Sequence, residues 1–115
     1  MIAVRLSRYS HDKLNELKEF TVCIPRDGEC AKELAFAGVK SGRDFDKAAE
    51  LGVSYLPAEK VRVPLLDRCA AAYECRVIYE TEMHEAHLPE IVRRCYREGD
   101  YHTLYFGEIL ACHTF

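Results

Sequence analysis

YECRVIYET, residues 73–81, sets Tyr73, Cys75, Val77, Tyr79 and Thr81 on odd positions and Glu74, Arg76, Ile78 and Glu80 on even ones. Side chains of a strand point alternately to opposite faces, so this period of two predicts a long strand with one buried face, its alternation broken only by Ile78. Further along, YHTLYFGEILACH at 101–113 is apolar on both faces, as in a barrel strand. Gly107 in its middle predicts a bulge or a close approach by backbone or ligand.

Shorter elements extend outward from this pair. IAVRL at 2–6 and FTVCI at 20–24 have strand composition, with Pro25 ending the second and Arg26-Asp27-Gly28 turning the chain. Ser10 is expected to cap a helix of about ten residues whose Leu14 and Leu17 share a face. Cys30–Phe36 predicts a second short helix, with Gly38 where a left-handed cap would stand. Asp44–Leu51 predicts a third, capped by Asp44 and stopped by Gly52. VRVP at 61–64 suits a short edge strand, and LPEIVRRCY at 88–96 a helix with Pro89 at its first position. Strands organise and helices are inserted, so the fold expected is a β-rich α+β domain or small barrel in one unit over residues 1–115.

Composition narrows the function. A net charge of −3 argues against a nucleic-acid partner, since phosphate-driven binding wants a strongly basic face. No apolar run approaches the roughly 20 residues that cross a bilayer, so no membrane partner is expected. MIAVRLSRYSHD lacks the apolar stretch of a secretory leader, and the expected location is the cytoplasm. The six cysteines are then expected as free thiols, with Cys23, Cys75 and Cys112 acting as small buried hydrophobes in strands. His84 and His87, with Cys95 or His113, have only a loose zinc spacing, and no catalytic triad or carboxylate pair can be placed.

Two helix starts carry hydroxyls and cations. Ser7, Arg8 and Ser10 stand before one, and Ser41, Gly42, Arg43 and Lys47 around the other. A helix N-terminus offers free N–H groups and about half a positive charge, so an anion such as a phosphate monoester fits both; equally, Ser10 and Asp44 are simple caps and the cations are solvated. His102 opens a strong strand and either faces a ligand or lies at the barrel rim.

The ordered blocks RLSRYSHDKL, EFTVCIP, AGVKSGRDFDKAAELG, PLLDRCAAAYECRV and YHTLYFGEILACH resemble the flavin reductase-like family, in particular its flavoredoxin branch, over nearly the whole chain apart from an insertion at about 82–99. The resemblance implies an FMN-binding split β-barrel, usually a homodimer in which the second subunit completes the pocket, with NAD(P)H as electron donor in many members. It implies that Ser7, Arg8, Tyr9, Ser10, Ser41, Gly42, Arg43 and Lys47 grip the FMN phosphate and ribityl chain, and that His102 lies near the flavin edge. Met1 matches a methionine internal to relatives, in a stretch like PPMVAVSIRPSRYSH, so the chain is expected to lack the family's first two strands, which touch the flavin ring. Their loss exposes sheet edges and predicts an obligate oligomer. The function implied is an NAD(P)H:FMN oxidoreductase or flavoredoxin-type electron carrier, the alternative being a non-catalytic dimeric split-barrel module that has lost its flavin.

Overall fold

The computed structural model describes residues 1–115. Four antiparallel strands form one curled, open sheet in the order β1 (Ile2–Arg5), β6 (His102–Thr114), β5 (Cys69–Glu82), β2 (Glu19–Pro25). The long strands β5 and β6 are the centre, as the period-two pattern predicts, and the whole is a β-rich α+β half-barrel. The remaining elements are α1 (Tyr9–Leu17), α2 (Ala31–Val39), α3 (Lys47–Leu51), the small ladder of β3 (Tyr55–Leu56) with β4 (Leu65–Leu66), and α4 (Glu90–Arg93). No helix is long and apolar enough to cross a membrane.

The core lies between α1 and one face of the sheet. Leu14 of α1 packs with Phe20, Cys75 and Tyr105, flanked by Ile2, Val4, Val22, Tyr73 and Val77. Register explains the grouping: Phe20 is opposite Cys75, Val22 opposite Tyr73 and Ile2 opposite Tyr105, and directly opposed residues share a face. Each large side chain buried here contributes about 1.5–3 kcal/mol. Tyr105 is fully buried, and its hydroxyl donates to Asn15 Oδ1 at 3.0 Å.

The face does not continue unbroken. Val77 pairs with Gly107 and Tyr79 with Phe106, which leaves Ile78 as the extra residue of a bulge. An extra residue shifts the parity of everything after it. Tyr79 and Thr81 therefore leave the core face, and Tyr79 instead tilts against Phe106 with ring centroids 5.6 Å apart, 59% exposed. The expectation that all five odd positions share the buried face is corrected at this point. Gly107 meets its expectation of a close approach, the approaching group being a side chain: a Cβ there would lie 2.5 Å from Phe20 Cζ and 2.9 Å from Cys75 Cβ.

On the opposite face, Glu74 is fully buried despite its place among the polar positions. Its carboxylate accepts the N–H groups of Glu59 at 2.8 Å, Lys60 at 2.6 Å and Val61 at 3.2 Å, and contacts His113 Nε2 at 2.7 Å. Those N–H groups are thereby withdrawn from any ladder, which is why 61–64 is not the edge strand expected; pairing occurs to either side, in β3 and β4. Burial alone would push the Glu74 carboxyl up, but the three N–H donors and His113 outweigh it and hold it down at about 2.

Several boundaries also move. Arg8, not Ser10, holds the N-cap position of α1, and Ser10 is the second helical residue. Asp46, not Asp44, caps α3, accepting from Ala49 N at 3.2 Å, while Gly52 ends it in a left-handed conformation as expected. Gly38 lies inside α2, which closes with Lys40 N–H donating to Phe36 O and so needs no left-handed cap there. Pro25 closes β2 within the strand, beside a register shift, and Pro89 is the N-cap of a helix only four residues long. All six cysteines are free; Cys75 is buried and Cys23 partly so, whereas Cys112 is exposed, contrary to expectation.

Candidate functional site

Two cavities bear on ligand binding. One, of about 210 Å³, is apolar and gathers Cys23, Cys30 and Cys69 with Leu34, Leu51 and Leu66. Burial, helped by the neighbouring Cys23 thiol, pushes the Cys69 thiol up to about 12, so it is an inert neutral group. The other is an open cleft of about 680 Å³ between the start of α1, the end of α2, the 40–44 loop and the start of β6. Pockets that hold cofactors commonly measure about 300–1,000 Å³. Only the second is large enough.

That cleft is lined by Arg5, Arg8, Lys40, Arg43 and Lys47 against the carboxylate of Asp44. Ser7, Tyr9, Ser10, Ser41, Gly42 and His102 line it too, so every position named from the sequence as a flavin contact falls on its wall. Tyr9 is one of the groups that bring residues 7–10 and 41–47 together. Arg43 lies over its ring at 5.4 Å, and Gly42 is so close that an added Cβ would stand 2.7 Å from Tyr9 Cδ1. The glycine is needed for contact with the ring.

The cations differ in what they already hold. Arg43 donates to Ser7 O at 3.0 Å and forms an ion pair with Asp12, pinning the loop to α1. Lys47 Nζ donates to Ala37 O at 2.9 Å, tying α3 to α2. The Arg8 guanidinium has neither a hydrogen bond nor an ion pair within the chain, although its backbone N–H donates to Arg5 O at 3.1 Å. Because no side chain caps α1, the N–H groups of Tyr9 and Ser10 have no acceptor either. A free guanidinium beside unpaired N–H groups at a helix start is a donor set for an anion.

His102 lines the cleft from the start of β6. Its Nδ1 lies 2.6 Å from the Tyr96 hydroxyl, and the two rings meet edge to face at 5.5 Å. Burial, followed by the charge of Arg5, lowers its pKa from the ordinary histidine value despite Asp100, which favours the neutral imidazole at neutral pH. Arg5 in turn lies over the Tyr96 ring at 5.1 Å. Tyr96, Asp100 and Arg5 are absent from the residues named from sequence as flavin contacts; the first two sit in the 83–101 connection, where the sequence showed only a short helix and a loose histidine pair. His84 and His87 lie edge to face at 6.0 Å, while His113 is engaged with Glu74 on another part of the sheet.

Comparison with known proteins places this geometry. An uncharacterised protein of Archaeoglobus fulgidus is 36% identical over 109 residues, covering 95% of this chain and 52% of that protein. Among solved structures, a flavoredoxin from Methanosarcina acetivorans is similar with a TM-score of 0.76 and 23% identity, covering 99% of this chain and 51% of that one. An FMN-binding protein from Thermus thermophilus, solved with p-hydroxybenzaldehyde bound, gives a TM-score of 0.74 at 19% identity, with coverage of 99% and 53%. The chain thus spans about half the length of these relatives. The sequence profile of the flavin reductase like domain matches residues 1–115 throughout, and the chain belongs to that family.

Proposed function

We propose that the cleft holds FMN, with the phosphate against Arg8, the N–H groups of Tyr9 and Ser10, the hydroxyls of Ser10 and Ser41, and the Ser7 N–H and hydroxyl once Asp100 has released them. The observation that carries this is the free donor set at the start of α1, in a cationic cleft of cofactor size. Arg43, Lys47 and Gly42 then serve chiefly to hold the 41–47 loop against Tyr9. His102, held neutral, offers a hydrogen-bonding edge without adding charge. A bound flavin supplies the two-electron chemistry, and the protein supplies orientation and field. On this reading the chain forms part of an NAD(P)H:FMN oxidoreductase or flavoredoxin-type electron carrier, working in the cytoplasm as a homodimer.

A second reading, a split-barrel module without flavin, is favoured by one observation: the donors of Ser7 and of Arg43 are already satisfied from within the chain. Titration with FMN and with riboflavin, followed by flavin fluorescence, separates the two. Micromolar or tighter binding with preference for FMN supports the first, and no quenching by either flavin supports the second. Arg8→Ala should weaken FMN about ten- to a hundredfold and riboflavin far less, since only FMN carries the phosphate. Equal weakening of both would place Arg8 away from the phosphate.

A further inference from the structure

We propose that Asp100 is a resident anion beside the cleft: its carboxylate takes both donors of the cleft-lining Ser7, which a ligand's phosphate would use, so phosphate binding there and latching of residues 83–101 exclude one another. This rests on the phosphate reading of the cleft and adds to it a regulatory contact.

Asp100 Oδ1 accepts the Ser7 N–H at 3.0 Å, and Oδ2 accepts the Ser7 hydroxyl. The hydroxyl, then the N–H, and the charges of Arg5 and His102 lower the Asp100 pKa, so the group stands as a carboxylate. Hydrogen bonds from an N–H and a hydroxyl to a carboxylate are charge-assisted, and here an internal carboxylate takes both Ser7 donors. A phosphate at the same donors would meet the carboxylate at hydrogen-bond distance, where like charges repel. One must leave.

The connection that carries Asp100 is built to leave. No residue from 83 to 101 is buried, and its α4 is a single turn. It is held by Leu6 N–H donating to Tyr101 O at 3.2 Å, Met83 N–H to His102 O at 3.4 Å, the Tyr96–His102 bond, and the Ser7–Asp100 pair. A segment with no buried apolar anchor opens at low cost. Tyr96 contacts His102 and Arg5 lies over Tyr96, so release of the connection frees three cleft-lining residues, Ser7, Arg5 and His102, from its contacts.

The test compares the unmodified chain with Asp100→Asn and Asp100→Ala in FMN and riboflavin titrations, alongside hydrogen exchange of the unmodified chain with inorganic phosphate. Removing the charge should tighten FMN by up to about fivefold, as for an exposed ionic contact, and leave riboflavin unchanged. FMN bound with unchanged or lower affinity in both variants overturns the latch while the flavin reading stands. Failure of every form to bind FMN overturns the flavin reading instead. Hydrogen exchange then decides the latch independently of flavin and of how the variants fold. Faster exchange of the Leu6 and Met83 amides on adding phosphate supports displacement, and unchanged exchange overturns it.

Discussion

Three positions, of which only Glu74 is buried, test the packing one atom at a time. At Gly107, an alanine would drive its Cβ into the Phe20 ring and Cys75 Cβ from both sides, so Gly107→Ala should destabilise by about 1–3 kcal/mol, read as a lower urea midpoint. Gly38 is the opposite case. Nothing lies within 4 Å of a Cβ added there, its φ is negative and it is inside α2, so Gly38→Ala should stabilise by about 0.5–1 kcal/mol in the same titration. Glu74 has its carboxyl held near 2 in the folded chain, below its ordinary 4.5. A depressed carboxyl stabilises above the unfolded value, and that stability is lost as pH falls from about 4.5 towards about 2. Thermal melts of the wild type should therefore drop across this window, and Glu74→Gln should flatten the drop while lowering stability at pH 7. Nothing in the sequence distinguished Glu74 from its solvated neighbours, because its burial is decided by residues 59–61, which approach through backbone N–H groups that carry no sequence signal.

At the scale of elements, the two long strands were legible because their pattern persists over many residues, and the break at Ile78 was legible too. It marks the bulge: one apolar residue on a polar position, where the strand changes the face it turns to the core. The short elements were displaced wherever the deciding contact came from far away. Ser10 has the chemistry of a cap, yet Arg8 takes that position because Ser7 is drawn off to Asp100 and Arg43. Asp44 and Asp46 are both good caps by composition, and only the Ala49 N–H contact chooses between them. Asp46→Ala should cost about 1 kcal/mol and Asp44→Ala much less, as urea midpoints would show; equal losses would contradict the assignment. The lining of the cleft was largely legible, since its residues cluster in two short stretches, whereas Tyr96 and Asp100, which contact the lining residues His102 and Ser7, come from a connection whose path only the fold defines.

The whole molecule is unusually open for its mass. Its accessible surface is 7799 Å², against about 6,400 Å² expected for a compact 13.2 kDa monomer, and its radius of gyration is 15.3 Å against about 13 Å. Much of the excess is apolar: Ile78, Tyr79, Ile91 and Ile109 are each more than half exposed. The surplus, about 1,400 Å², exceeds the roughly 800 Å² that each partner gives to a stable interface. Sedimentation of the 115-residue chain at micromolar concentration should show a species of at least twice 13.2 kDa, and a 13.2 kDa monomer would count against the proposed dimer. The pairing of β1 with β6 carries a different implication, one of order in time. Ile2 finds its partner only at Tyr105, so about a hundred residues must be made before the first strand can be zipped into the sheet. Refolding should accordingly be slow for so small a chain, in milliseconds to seconds, with β1 joining last and waiting meanwhile as an open edge for any chaperone that binds extended segments.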